Sequence, residues 1–505
     1  MDEAGSERTP LARFERVLFG RRVWANYASL VLHVLALWAL AAPNAPPALR
    51  HKPTAIQLVF TDPGEREAGV GVRIEVGGEA LEAAVLPSES DHHAEVMSLA
   101  ATALAPALDV SPPLVNADRR PEAVAALTAV LAATAVTDRP QSSPQAGDAT
   151  ALPAAAAPAF ASRRAAARGQ GVARHGGSAA SEAAVERGLE WLARHQAADG
   201  SWRFDLSGCR CDGGCSFPGT VTSTTAATGI ALLPFLGAGY TQEQGRYRET
   251  VTRGLYYLMS RMQPSPRGGD LGEGTMYGHG VATLALAEAF GMTGDQMLQP
   301  YVRDAMRFIE TAQDLHGGGW RYLPGQAGDT TVTAWQLAAL KSATLAGIPA
   351  PSPTIDGVCR FLDRVQVRNG EGYGYLSPQD RPCTSAIGLL CRIYTTWPEE
   401  ATLDRGLARL AKPGPAADDV YQNFYLSQAL LHRGHPAWKR WNARNRDQLV
   451  GRQARHGHEA GSWTFADADT IPGGRLGHTA LAVLTLEVYY RLLPIYGTAA
   501  AETGW

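Results

Sequence analysis

From about residue 180 to about residue 495 the chain alternates two textures of apolar and polar positions. The first is amphipathic. Arg187–Trp202 reads RGLEWLARHQAADGSW, Asp304–Trp320 DAMRFIETAQDLHGGGW, Asp356–Tyr375 DGVCRFLDRVQVRNGEGYGY and Arg446–Trp463 RDQLVGRQARHGHEAGSW. Each has apolar residues at helical spacing and ends in a Gly-rich turn, as a surface helix with a stop signal does. RGLYYLMSRMQ, ending at Gln263, copies the helix without a terminal aromatic, and RGLARLAKPGP, from Arg405, copies it without the glutamine. The second texture follows each copy: STTAATGIALLPFLGAGY, GHGVATLALAEAFG, TVTAWQLAALKSATLAG, CTSAIGLLCRIYT, YQNFYLSQALLHRG and GHTALAVLTLEVYYR. These segments are apolar on most faces, as buried helices are. Their Ala, Gly, Ser and Thr allow close backbone packing. Repetition at this scale means stacked supersecondary units. Six outer and six inner helices in alternation predict a closed double ring, with the inner helices' N-terminal ends around one mouth.

The recurring pattern Arg/Lys-Gly, aromatic-Leu, Gln-x-Gly-x-Trp resembles the QW motif of squalene-hopene cyclases, and RGLEWLARHQAADGSW is a close match. The alternation is also similar to that of protein prenyltransferases. The order of segments resembles planctomycete proteins with prenyltransferase and squalene-oxidase repeats. The resemblance implies an all-α chain whose ring, over residues 179–495, is a single (α/α)6 toroid followed by a tail at 496–505. In that family the glutamine and tryptophan tie consecutive repeats together. The resemblance carries that role to Gln196 and Trp202, Gln313 and Trp320, Gln366 and Tyr373, and Gln453 and Trp463.

Upstream the pattern changes. Val23–Ala42, VWANYASLVLHVLALWALAA, is close to the ~20 apolar residues that span a bilayer. Arg13, Arg16, Arg21 and Arg22 precede it, and only Arg50 and Lys52 follow closely. The positive-inside bias then predicts a cytoplasmic segment 1–22, a transmembrane helix 23–43 and a large C-terminal domain outside the cytoplasm, in a single-pass inner-membrane arrangement. A cleaved signal peptide is the competing reading, because small residues follow the apolar run. Ser29 and His33 share one face of this helix. With the extended stretch PTAIQLVF they resemble the anchor of TonB-type energy transducers, which implies an ExbB/ExbD-like proton channel as partner. Residues 44–86 hold two strand-like runs, Ala55–Phe60 and Val70–Val76. Residues 87–178 are rich in Ala, Pro, Ser and Thr and lack the large apolar residues that offset ordering entropy, so they read as a disordered tether.

Composition narrows the chemistry. A net charge of -3 gives nucleic acid no electrostatic attraction. The six cysteines form no repeated CxxC pair, and no Gly-rich nucleotide loop or GxSxG elbow is present, so neither cofactor nor metal is expected. Cys209, Cys211 and Cys215 crowd into one loop, where a local disulfide, free thiols or a metal needing a fourth ligand are the alternatives. Terpene cyclisation needs a protonated carboxylic acid, and the cyclases carry it in a DxDD motif. Here only Asp329 matches, at the start of an inner helix and preceded by Gly328. The zinc of the prenyltransferases would fall on Asp419, Tyr421 and His478, where tyrosine replaces the thiolate. Tyr277, His279, Asp329, Asp419, Tyr421, Arg475 and His478 all sit at starts of inner helices and are expected to line a common cavity, with Asp205, Asp270 and Glu273 in loops near it. The sequence therefore predicts a membrane-tethered toroid that binds an isoprenoid, lipid or peptide ligand centrally. Its alternatives are a terpene cyclase with Asp329 as acid and an energy-coupling envelope component.

Overall fold

In the computed structural model the chain divides into two units, Met1–Ala103 and Leu104–Trp505. The described residues are 57–61, 69–76, 79–82 and 86–87 of the first, and 158–209, 214–467 and 469–491 of the second. Ser29, His33, the segment 23–43 expected to span a membrane and Cys211 lie outside them. Among the described residues no helix is long and apolar enough to cross a membrane.

The first unit contains strands β1 (Gln57–Thr61), β2 (Gly69–Val76), β3 (Glu79–Glu82) and β4 (Leu86–Pro87). All pair antiparallel around β2, with Gln57 opposite Glu75 and Val76 opposite Glu79. The two runs rich in Val, Ile and Phe become β1 and β2, as β propensity predicts.

The second unit is helical. A 3₁₀ turn (Pro158–Arg163) and α1 (Ala165–His175) lead into an outer series: α2 (Ala179–Arg194), α4 (Arg248–Arg261), α6 (Gln299–Ala312), α8 (Ser352–Val365), α10 (Glu400–Ala411) and α12 (Trp438–Arg452). The inner series is α3 (Thr224–Gly237), α5 (Met276–Thr293), α7 (Thr330–Leu345), α9 (Pro382–Tyr394), α11 (Val420–His432) and α13 (Gly474–Leu486), with α14 (Val488–Arg491) at the end. Each inner helix packs on the next, and α13 returns to pack on α3. That contact closes the ring. Two short hairpins lie between helices, β5 (Gln263–Ser265) with β6 (Gly268–Asp270) and β7 (Gln366–Val367) with β8 (Gly372–Tyr373).

Three of the glutamine–tryptophan pairs share one geometry. Gln196 Nε2 donates to Gly200 O and Thr250 O, both at 2.9 Å. Gln313 donates to Gly318 O and Thr354 O, and Gln453 to Gly461 O and Ala184 O. One bond closes the repeat's own turn, and the other reaches the first turns of the next outer helix, whose carbonyls would otherwise see only their own helix. The indoles of Trp202, Trp320 and Trp463 donate back to Leu192, Ile309 and Leu449 carbonyls. Their backbone N–H groups meet a threonine of the following inner helix: Thr228, Thr333 and Thr479. The glycine of the Arg-Gly pair makes room for this packing. A Cβ on Gly254 would lie 2.9 Å from Trp202, and one on Gly188 would lie 3.1 Å from Trp463. In the third repeat Gln366 pairs with Tyr373 in a hairpin instead, and the Tyr373 hydroxyl accepts from Arg392 Nε.

The ordered helical unit begins earlier than the Ala- and Pro-rich composition of 87–178 suggests. Phe160 is fully buried, and Arg163 is buried beside it. Arg163 Nη1 donates to Glu288 Oε2 at 2.8 Å, Arg491 Nη2 donates to Glu288 Oε1 at 2.7 Å, and Arg163 Nε donates to Arg491 O. Burial of the Phe160 ring supplies ordering energy that composition alone does not reveal, and the pairing with Glu288 offsets part of the cost of burying the Arg163 charge.

Candidate functional site

The residues at the starts of the inner helices separate into three groups. The first fills the ring. Tyr277 on α5 and Tyr421 on α11 meet hydroxyl to hydroxyl at 2.5 Å across the ring, and Trp335 Nε1 on α7 donates to the Tyr421 hydroxyl at 2.7 Å. Tyr425 lies edge-on to Tyr421, and Phe424 stacks on Trp335. Desolvation pushes the Tyr277, Tyr421 and Tyr425 phenols well above their ordinary range, so all three stay neutral donors and acceptors. Beneath this plug the central space lined by Leu284, Trp335, Leu390, Phe424, Gln428 and Arg491 is only about 20 Å³. That is room for about one water molecule. The expected ligand cavity is occupied by the protein's own aromatic side chains, because the inner helices carry large rings where their small residues bring the backbones close.

The second group is bonded away from the axis. His279 Nδ1 accepts the Leu271 N–H at 3.1 Å and Nε2 faces Ala305 O at 3.0 Å. His478 Nδ1 accepts the Phe465 N–H at 3.1 Å and Nε2 faces the Thr470 hydroxyl at 2.9 Å. The two histidines recur at equivalent places because each pins the loop that precedes its own helix. Burial pushes His478 down to about 4, which keeps it neutral. With both nitrogens engaged, neither ring offers a lone pair to a ligand. Arg475 is likewise structural: it donates to Ser216 O, Ser216 Oγ and Ser462 Oγ and pairs with Glu459 at 2.9 Å. None of His279, His478 and Arg475 is among the residues that line the central space.

The carboxylates form the third group. Asp329 caps α7, accepting from Val332 N at 2.8 Å and Thr331 Oγ1 at 2.7 Å through Oδ1, while buried Oδ2 has no hydrogen-bond partner. Burial raises its pKa, as an acid catalyst requires, yet Asp329 does not line the central space. The residue therefore acts here as a helix cap. Asp419 caps α11 through Gln422 N at 2.6 Å. Burial, with Asp467 and Asp469 nearby, pushes Asp419 up to about 7. Asp205 is exposed and accepts from Ser207 N within its own loop.

The roomy site is elsewhere. A cleft of about 770 Å³ opens beside the N-terminus of α3, lined by Asp199, Arg203, Ser223, Tyr257, Gln263, Asp270 and Glu273 among others. It lies at the repeat whose helix copy lacks the terminal aromatic. There the repeat glutamine, Gln263, is exposed and bonds only locally, to Arg261 O at 3.2 Å, instead of bracing the next helix. Glu273, held at φ +46, spans the N-terminus of α3: it accepts from Thr224 N, Thr225 N and Thr224 Oγ1 and pairs with Arg261 at 2.9 Å. Burial opposes its charge, but these donors outweigh it and hold the carboxyl below its usual range. A non-glycine residue in this backbone region marks a place where surrounding structure enforces the conformation. Sequence reasoning placed Asp270 and Glu273 near the mouth but did not single out Tyr257, Gln263 or Arg203. The missing aromatic after Gln263 was the available signal.

No protein-family model matches the chain, and no curated protein matches it. Among solved structures the chain is similar to an α-1,6-mannanase, GH76A of Salegentibacter sp. HEL1_6, in complex with α-1,6-mannotriose, at 11% identity over 62% of this chain and 99% of that one, TM-score 0.45. It is similar to the type II terpene cyclase MstE from Scytonema at 12% identity over 63% and 98%, TM-score 0.44, and to a D-mannose isomerase at 12% over 63% and 99%, TM-score 0.45. These likenesses, at such identities, say nothing about the chemistry of this chain. The ring itself rests on the closed circuit of contacts from α3 through α13.

Proposed function

We propose that the helical unit is a recognition domain that binds an extended polar segment of a peptide in the cleft beside α3. The observation that carries this reading is the polar lining, with both charges, of an open cleft of about 770 Å³ beside α3, while the ring's centre admits about one water. The cleft offers donors and acceptors of both charges, which suits a peptide backbone with polar side chains better than a hydrocarbon. The terpene-cyclase alternative needs an isoprenoid beside Asp329, but Asp329 caps α7 outside the central space, which itself admits about one water. Product analysis after incubation with squalene tests that alternative, and turnover lost in Asp329→Asn would reinstate it.

The peptide reading is tested by selecting binders from a displayed random peptide library and measuring their affinity by fluorescence anisotropy. Expected is micromolar binding that weakens at least tenfold in a Tyr257→Ala/Gln263→Ala double variant. Binders indifferent to that variant would overturn the reading. As part of the same proposal, Val23–Ala42 tethers the domain outside the cytoplasm. An alkaline phosphatase reporter fused after residue 100 should be active, and an inactive fusion would sink this topology. Energy coupling through Ser29 and His33 predicts that a channel of the ExbB/ExbD type is co-purified and lost in His33→Ala.

A further inference from the structure

The loop joining α2 to α3 holds a pairing that neither the ring nor the cleft uses. His195, the C-cap of α2, is buried and stacks on Trp191 with ring centroids 3.9 Å apart. Its Nδ1 lies 2.7 Å from Trp191 O. A carbonyl only accepts, so Nδ1 carries the proton and Nε2 presents its lone pair. That lone pair faces Cys215 Sγ at 3.2 Å. Cys215 as a residue is half-buried.

The neighbourhood is built to hold this sulfur in place. Arg475 on α13 bonds both the carbonyl and the hydroxyl of Ser216, and its own N–H donates to Phe217 O at 2.8 Å. Glu459 accepts from Ser216 N and Ser216 Oγ and pairs with Arg475. Phe217 is fixed at φ +64, a costly conformation for a bulky residue. Burial, with Arg194, His458 and Arg475 nearby, pushes the imidazole down to about 4, so Nε2 keeps its lone pair near neutral pH, and Arg475 also lies near the sulfur. The cation favours a thiolate electrostatically. A nucleophile, a base within hydrogen-bond reach and a third group that orients the base are the parts of an activated thiol.

We propose that Cys215 and His195 form a thiol–imidazole pair that, when reduced, undergoes exchange with small-molecule disulfides. As the Cys215 sulfur bonds to one sulfur of the disulfide, its proton passes to His195 Nε2, and the other sulfur leaves with the former S–S electron pair as a thiolate. Cys215 is oxidised to a mixed disulfide and the reagent disulfide is reduced. A small disulfide is favoured over a protein one because a half-buried residue admits a slim reagent more readily than a second protein surface.

The test uses the full chain, reduced and then freed of reductant. An aromatic disulfide, 5,5′-dithiobis(2-nitrobenzoate), reports rates by released thiolate, and peptide mapping after exposure to oxidised glutathione reports the site. An unassisted thiol of ordinary pKa loses about 100-fold in rate between pH 8 and pH 6, as its thiolate fraction falls. The pair predicts a fall of less than about 10-fold for a fast phase mapped to Cys215. In His195→Phe, which keeps a ring on Trp191, the ordinary steep fall should return. In Cys215→Ser the fast phase should vanish. A steep pH dependence in the unmutated chain, or a fast phase mapped to another cysteine, would overturn the inference whether or not the variants fold.

Discussion

Gln453 Nε2 donates to Ala184 O at 2.8 Å and joins residues 269 positions apart. The bond links the last outer helix to the first and so does for the ends of the chain what Gln196 and Gln313 do between neighbouring repeats. The ring is therefore closed by the same side-chain chemistry that propagates it. The Gln453→Ala variant should lose about 1–3 kcal/mol, since two buried carbonyls, of Ala184 and Gly461, are left without this donor. Urea denaturation checks this. An unchanged midpoint would mean that helix packing alone closes the ring.

Arg163 should be required for stability although it precedes the repeats. Removing one member of a buried ionic cluster leaves its partner's charge uncompensated and costs about 3–5 kcal/mol. Arg163→Ala is expected near the low end, because Arg491 still pairs with Glu288. Exposed Arg164→Ala should change little. Gly291→Ala should also destabilise, because the added Cβ would lie 2.2 Å from the Phe160 ring. Thermal melts of the three variants would separate these cases.

Asp419 should give the domain a stability that declines with rising pH. Its carboxyl titrates near 7 in the fold against 3.8 unfolded, so between those values the native state binds more protons than the unfolded state. Stability is then fully present below about 4 and is lost as pH rises to about 7. With its partial exposure discounted, the effect is on the order of 2 kcal/mol. Asp419→Asn, which can still cap α11, should flatten that slope in denaturation curves taken at pH 4 and pH 7.

His478 acts in the opposite sense. Its folded value of about 4 lies below the unfolded 6.5, so the unfolded chain binds the extra proton in that window. The stability it contributes is present above about 6.5 and is lost as pH falls toward 4. His478→Ala should remove that dependence and also lower stability at pH 7 by about 2 kcal/mol through the lost bonds to Phe465 and Thr470. Equal losses at both pH values would contradict the assignment.

Helical periodicity, Gly-rich stops and the alternation of amphipathic with wholly apolar segments determined six outer and six inner helices, and the repeat made a ring the economical way to bury them. These are local properties, legible in one pass along the chain. Which polar residues meet across the ring was not legible. His279 and His478 looked alike because they are alike, but each turns back to its own loop. Tyr277 and Tyr421, 144 positions apart, meet on the axis and fill it. Arg163 finds Glu288 125 positions away, so residues 158–178, which read as the end of a tether, belong to the helical domain. Periodicity reports which face of a helix is buried. Only the tertiary structure decided what it is buried against, because cavity volume and buried-charge pairing depend on side chains that no local window contains.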